Sequence, residues 1–519
     1  MDRRSVVILI LDGCNVKALR KARTPYIDEI RRRGSYTFKC RSVYPTVTYS
    51  AHASILTGVY PNSHGIVGNS FYDRRDRKIV NFDIEDVNQY LRSKTVFEQV
   101  EGIKIAIGEP IIKGADVVVS KEEVQAKELF DRDVYAINRA IELIEERKPI
   151  MAVVNLLGID RISEIYGPLS KELLDHLEEV DKCINALVQS LERVYDDYLL
   201  ILLSDHGIVE VEENIDLKEV IDLDVIVCVS HRAAHVYLRE GDLEEVKGRL
   251  KREGKFKLIS RGELGNYRLD NPRSGDIVVI AKKGYELGPE PLKGSHGGDS
   301  RGEFLVPLIL NKPEYTDMLR EVDITAIDKI ALRYLREAKA ISIAKELLKD
   351  VDPAHKWDHT ARVLSRATEL AIKYNADVEA VRLSCIFHDL GRAEGVEGHE
   401  ERSAHLARKF LIKEGYPKEF IEKVEKIILK HHLDPDKLES VEEKILWDAD
   451  KLDSMGIVGF ARCLLEEGFY RRNIEDAVSH LLRDLSEFEN AMHFKETKKP
   501  AKVRKVSVLK LIERLKKEL

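Results

Sequence analysis

Four short signals in the first three hundred residues carry donor types that bind hard cations. They are Leu-Asp12-Gly, Gly158-Ile-Asp160, Ser204-Asp205-His206-Gly and Gly294-Ser-His296-Gly-Gly. Carboxylate oxygens mixed with imidazole suit Zn²⁺ or Mn²⁺ and leave positions for a substrate oxygen. Two such ions close together can clamp a phosphoryl group and activate a hydroxyl nucleophile. The matching hydroxyl is Thr48, in Pro45-Thr-Val-Thr48-Tyr-Ser-Ala-His52, just ahead of a helix-like Tyr49–Thr57 stretch. A helix start offers free N–H groups and a positive dipole end to a phosphate. Each piece also has a plain structural reading: Thr48 as an N-cap, LDG as a strand exit, SDHG as a turn. Order and placement favour chemistry, because every signal adjoins a strand pattern on what becomes one edge of a sheet.

A second constellation lies in the last third of the chain. It comprises Trp357-Asp358-His359, Ile-Phe-His388-Asp389-Leu-Gly391 and Trp447-Asp448-Ala-Asp450-Lys451-Leu-Asp453. Neighbouring side chains on a helix diverge by about 100°, so His388 and Asp389 at a helix end can converge on one ion. His359 and Asp450 complete an N₂O₂ set with room for water and phosphate. An isolated His-Asp pair says little; the order His…His-Asp…Asp inside a helical segment says much. Asp448 reads as orienting a ligand or water. Lys451 reads as a helix-surface lysine, with a phosphate contact as the alternative.

The elements that must position these residues follow from periodicity. Val6–Leu11, Ala152–Leu157, Tyr198–Leu203 and Phe304–Asn311 are short apolar runs rich in Val, Ile and Leu. Helix-like stretches at Pro25–Arg33, Tyr49–Thr57, Asp131–Arg147 and Leu169–Val194 separate them. That alternation predicts an α/β fold, a mostly parallel sheet with helices on both faces. Residues 210–290 are less regular, with two short βα-like units and turn clusters at Asp270–Gly275 and Gly288–Pro291; they read as a cap or insertion. After Tyr334 the strand pattern ends and helical periodicity takes over, which predicts an all-α domain. The expected division is 1–336 and 337–519. The amphipathic Val506–Leu519 stretch reads as packing on the helical part, with a homo-oligomer contact as the alternative.

Composition sets the outer limits. The 519 residues carry 84 Lys+Arg against 91 Asp+Glu, a net charge of −7, which does not suit a protein that coats nucleic acid. No apolar run is long enough for a membrane span, and Val6–Leu11 is too short for a signal-peptide core. Six scattered cysteines without CxxC pairs read as the reduced thiols of a cytoplasmic protein. Abundant Lys, Arg and Glu with few Gln and two Trp fit a thermophile.

The first part resembles the type I phosphodiesterase/nucleotide pyrophosphatase branch of the alkaline phosphatase superfamily. The stretches that carry the resemblance are VILILDG, YPTVTYSAHASILTGVYPNSHGIVGNSFYD, SDHG and GSHGG. The resemblance implies an alkaline-phosphatase-like fold and two divalent metals, Zn or else Mn or Mg. One metal would be held by Asp12, Thr48, Asp205 and His206. The other would be held by Asp160, His296 and the residue four positions after Asp160. It also implies Thr48 as nucleophile, a phospho-threonine intermediate that water hydrolyses, and Asn69 as a donor to the phosphate. One departure stands out: the family has His four residues after Asp160, and this chain has Glu164. Glutamate can ligate zinc, and its oxygen shifts preference toward Mn²⁺ or Mg²⁺. A sulfatase would need C/S-x-P/A-x-R at the nucleophile; Cys228-Val-Ser-His-Arg232 has the wrong third residue and comes too late. Phosphonoacetate hydrolase shares the Thr type and stays open.

The last part resembles HD-domain phosphohydrolases. This implies at least one divalent metal (Mn, Mg, Co, Ni or Fe) on His359, His388, Asp389 and Asp450. His399, His405, His431 and His432 are candidates for a second metal or for phosphate. The expected substrates are small phosphodiesters or nucleotides for the first part and phosphomonoesters or nucleotides for the second. A nucleotide-sensing, non-catalytic HD domain is the alternative.

Overall fold

A computed structural model describes residues 3–238, 243–288 and 290–518. Pro289 of the second turn cluster and Leu519 of the terminal stretch lie outside the described residues. The chain divides into two compact units, Asp2–Leu335 and Arg336–Leu519.

The first unit is built on a seven-stranded sheet. Its order is Ser35–Arg41, Leu305–Leu310, Asp197–Leu203, Arg4–Leu11, Met151–Leu156, Lys104–Ile107 and Val117–Val119. Leu305–Leu310 runs antiparallel to both neighbours and the other pairings are parallel. Side chains of the Arg4–Leu11 strand alternate between two cores: Val6, Ile8 and Ile10 in one, Val7, Leu9 and Leu11 in the other. Both faces are thus covered, which is why the strand reads as a continuous apolar run. The helices Arg132–Arg147 and Lys171–Val194 supply one cover, and Thr48–Thr57 belongs to the other. Because Asp197–Leu203, Arg4–Leu11 and Met151–Leu156 are adjacent and parallel, Asp205, Asp12 and Asp160 emerge side by side.

The irregular stretch is built on a four-stranded antiparallel sheet rather than two βα-like units, and at its two ends Val209–Asn214 and Gly284–Glu286 pair parallel in a separate small sheet. The four antiparallel strands are ordered Val225–Ser230, Ala233–Leu238, Ile277–Ala281 and Phe256–Ser260, with the helix Leu243–Glu253 beside them. Ala234, Val236 and Val279 pack with that helix, while Ala233, Val278 and Ile280 join the main core. With apolar residues on both faces, the two-residue alternation that marks a hairpin is hidden.

The second unit contains only helices among its described residues. Trp357–Lys373, Val378–Phe387, His399–Lys413, Lys418–Lys430 and Val441–Asp453 share one core. Gly456–Phe469, Ile474–Ala491 and Lys495–Glu518 build a second around Trp447 and Leu452. Val508 and Ile512 of the terminal stretch are buried in that second core, so this stretch packs on its own helical unit.

Candidate active sites

In the first unit, three strand ends and one helix start meet. Asp12 follows Arg4–Leu11 and its Oδ2 accepts from Asn155 Nδ2 at 2.9 Å. Asp205 follows Asp197–Leu203 and its Oδ1 accepts from the Gly13 N–H at 3.2 Å. Asp160 and Glu164 lie one turn apart on the helix Leu157–Tyr166 that leaves the third strand. Thr48 is the first residue of the helix Thr48–Thr57, and its Oγ1 lies 3.2 Å from His206 Nε2. His206 Nε2 is 3.2 Å from Asp205 Oδ2 and 3.7 Å from Asp12 Oδ1. His296 donates its Nδ1–H to the Thr46 carbonyl at 3.0 Å, which turns its unprotonated Nε2 toward Asp160.

The remaining atoms test whether cations fit. Asp12 Oδ1, Asp160 Oδ1, Asp205 Oδ2 and His296 Nε2 are buried and have no hydrogen-bond partner. Buried acceptors left this way are costly unless something satisfies them. Burial pushes Asp12 and Asp160 well above the usual carboxylate range, and repulsion from Asp205 and Glu164 adds to it. Convergent carboxylates of this kind are stable in ionised form around cations, so the donor set fits divalent metals. Asp160, His206 and His296 present ligand atoms within 4.8 Å of one another.

Sequence reading missed two parts of this site. His52, one turn along the helix from Thr48, is fully buried with Nε2 at 3.5 Å from Asp205 Oδ2 and 3.9 Å from Asp12 Oδ2. Its Nδ1 is held by Glu109 at 2.8 Å. The available signal was Glu109 itself, an acid directly after the strand Lys104–Ile107. The other is His231, in the turn joining Val225–Ser230 to Ala233–Leu238. The site opens into a cavity of ≈ 450 Å³ whose wall includes Thr48, Asn69, Lys121, Arg132, Arg161 and His231.

In the second unit, His359 donates Nδ1–H to Asp453 at 2.8 Å and points Nε2 at Asp450 Oδ1, 3.4 Å away, and at Asp389 Oδ2, 3.7 Å away. His388, His399 and His431 each donate Nδ1–H to a carbonyl three residues earlier. All four histidines therefore present a buried Nε2 with no hydrogen-bond partner. His359, His388 and Asp450 form one group of converging donors; Asp389, His399, His431 and His432 form another. Burial works against ionisation of Asp389 and Asp450, but Arg392 and His388 at the first, and Lys451 and His359 at the second, outweigh it. Both carboxyls stay well below the usual range. The nearby pocket of ≈ 240 Å³ is lined by His355, Arg392, His432, Lys451, Arg462 and His480.

Three expected roles change here. Asp448 accepts from the backbone N–H groups of His493 and Phe494, and from His493 Nδ1 and Thr497 Oγ1. Its carboxylate is used up anchoring the start of the last helix. Lys451 is buried, not a surface lysine, and bonds Asp450 Oδ2 at 2.8 Å. His405 is exposed on the helix His399–Lys413 and takes part in none of these contacts.

Residues 6–299 match the family model described as type I phosphodiesterase/nucleotide pyrophosphatase, and residues 357–455 match that of the HD domain. The chain belongs to the type I phosphodiesterase/nucleotide pyrophosphatase family. The members of both families are metal-dependent hydrolases, and the chain itself is a hydrolase. Among curated relatives, ectonucleotide pyrophosphatase/phosphodiesterase family member 5 of Homo sapiens is 25% identical over 333 residues, 60% of this chain and 69% of its own length. Human family member 1 is 26% identical over 215 residues, and the match spans only 23% of that protein. Of solved structures, murine member 5 in complex with AMP shares 20% identity at a TM-score of 0.55, covering 64% of this chain and 95% of its own. Phosphonoacetate hydrolase from Sinorhizobium meliloti gives a TM-score of 0.53 at 20% identity, with the same coverage. At such identities these two likenesses show a shared fold. No helix among the described residues is long and apolar enough to cross a membrane.

Proposed function

We propose that the first unit hydrolyses phosphodiester or pyrophosphate bonds, with nucleotides as the leading substrates, through covalent catalysis at Thr48. The observation that carries this reading is a hydroxyl at a helix start, 3.2 Å from an imidazole and surrounded by unsatisfied buried carboxylates. Asp12, Asp205 and His206 would hold one divalent cation with Thr48, and Asp160, Glu164 and His296 a second. Zn²⁺ and Mn²⁺ both suit this donor set. When bound, such ions withdraw charge from phosphoryl oxygens and favour an ionised hydroxyl.

The chain's own groups supply the rest. Thr48 Oγ forms a bond to phosphorus as the leaving-group oxygen departs, giving phospho-threonine and the first product. Water then attacks the same phosphorus and frees Thr48. Asn69 is held by its own N–H, which donates to Ser230 Oγ at 2.9 Å; from the cavity wall its side chain donates to a non-bridging oxygen. Lys121, Arg132 and Arg161 favour an anionic substrate in the same cavity. The second unit, on this reading, cleaves phosphomonoesters or nucleotides, with Arg392 and Lys451 facing the substrate pocket. A cytoplasmic location fits the six unpaired cysteines.

The test compares diester and monoester p-nitrophenyl substrates with added Mn²⁺ or Zn²⁺. Thr48→Ala should abolish diester turnover. A monoester preference that disappears in Thr48→Ala would overturn the diesterase assignment.

A further inference from the structure

We propose that His231 is a ligand of the second cation site, supplying from the inserted sheet the imidazole that the family pattern places at position 164. The inference rests on the two-cation reading above and goes beyond it, because that pattern draws no ligand from this hairpin.

The geometry begins with Glu164. One of its oxygens, Oε2, is bound by Arg161 at 2.9 Å, and the other, Oε1, faces His231 Nδ1 at 3.6 Å. The His231 and His296 rings lie against each other with centroids 4.1 Å apart. Glu164, His231 and His296 each offer a ligand atom, all within 4.8 Å of one another. Donors bound at about 2.0–2.2 Å from one ion stand within that range of each other. A second observation points into the same space: His296 Nε2, only 1% exposed as a residue, has no hydrogen-bond partner.

The turn that carries His231 is built to hold it there. His231 adopts φ 54°, left-handed backbone that is uncommon for any residue but glycine. Such a conformation persists only where its surroundings enforce it. The Arg232 N–H donates to the His296 carbonyl at 2.9 Å, and Ser230 Oγ accepts from the Asn69 N–H. Gly297, at φ +108°, makes room: a Cβ there would stand 3.0 Å from Arg232 N and from Ser230 O. One hairpin turn is thus fastened to both the His296 loop and the Asn69 loop. The result is an Asp160, Glu164, His231, His296 set, with two oxygens and two nitrogens. Replacing His by Glu at 164 would otherwise leave one imidazole and two carboxylates, a harder site.

The test counts and titrates bound metal in the full chain, a readout that needs no turnover. His231→Asn keeps a residue that tolerates left-handed backbone. It should weaken Zn²⁺ and Mn²⁺ binding at one site per chain by at least about tenfold, the lower end of losses seen when metal-supporting residues are removed. Adding Glu164→His to His231→Asn should restore that affinity. Unchanged affinity at every site in His231→Asn, with only KM raised, would overturn the proposal and make His231 a substrate contact. His296→Ala separates the two levels. If it loses one ion and His231→Asn does not, only this proposal fails. If His296→Ala also loses none, the two-cation reading itself fails.

Discussion

His52 and His64 stand in the same stretch, YPTVTYSAHASILTGVYPNSHGIVGNSFYD, both are fully buried, and their surroundings give them opposite electrical roles. His64 accepts the Ile66 N–H on Nδ1 at 3.1 Å, so its Nε2–H donates to Ser54 Oγ at 2.9 Å. Burial, with Arg273 nearby, lowers its pKa to about 3, and it stays neutral. The unfolded chain takes up a proton near pH 6.5 that the folded chain refuses. Its contribution to stability is therefore complete above about pH 6.5 and is lost as pH falls toward 3. Between pH 6.5 and 4.5 this one residue should cost the first unit roughly 2–3 kcal/mol. Thermal melts of wild type and His64→Gln across that range check it; identical pH slopes would refute it. At His52, burial opposes charging, but Glu109 and Asp205 outweigh it and raise the pKa. Glu109 fixes which way that ring faces Asp12 and Asp205. Glu109→Gln should lower metal affinity at their site about 10–100-fold, measured by metal titration, with little change in thermal stability once metal is saturating.

At the scale of elements, the parallel strands do most of the positioning, and they were also the most readable feature. Asp12, Asp160 and Asp205 each follow a run of Val, Ile and Leu, so the strand exits and their acids could be found together. Glu109 was missed because its strand, Lys104–Ile107, has only four residues and Glu109 comes without a histidine or a second acid. His231 was missed for another reason: its hairpin is apolar on both faces, so nothing marked the turn or showed that it reaches Asn69 and His296. Asp448 and Lys451 were misread because helical spacing places a side chain on a face but does not say what covers that face. The Gly297 contact tests how tightly the hairpin is fastened. Gly297→Ala places a Cβ at positive φ against Arg232 N and Ser230 O. It should destabilise the first unit by about 1–3 kcal/mol and lower diester turnover more than a surface Gly262→Ala control, whose Cβ meets nothing within 4 Å.

At the scale of the whole molecule, the net charge of −7 is no obstacle to anionic substrates, because several of the 91 acids converge on sites fit for cations. The same crowding links metal to stability. Each hydrophobic cluster draws its residues from only one of the two units, which gives each unit a core of its own. An ion that binds only the folded form stabilises it by RT ln(1 + [L]/Kd), about 2.7 kcal/mol at a hundredfold excess over Kd. Adding Mn²⁺ to chelator-treated protein should therefore raise two thermal transitions, one for each unit. Asp389→Ala removes the carboxylate that lies between the two histidine groups of the helical unit, with Oδ2 3.7 Å from His359 Nε2 and Oδ1 3.3 Å from His399 Nε2, and should cancel only that unit's shift. Diester turnover by the first unit should survive. His296→Ala should cancel the shift of the first unit's second site and leave the helical unit's rise intact. If either substitution removes both shifts, or if Asp389→Ala also stops diester turnover, the two sites are not independent and a single coupled hydrolase must replace the picture of two.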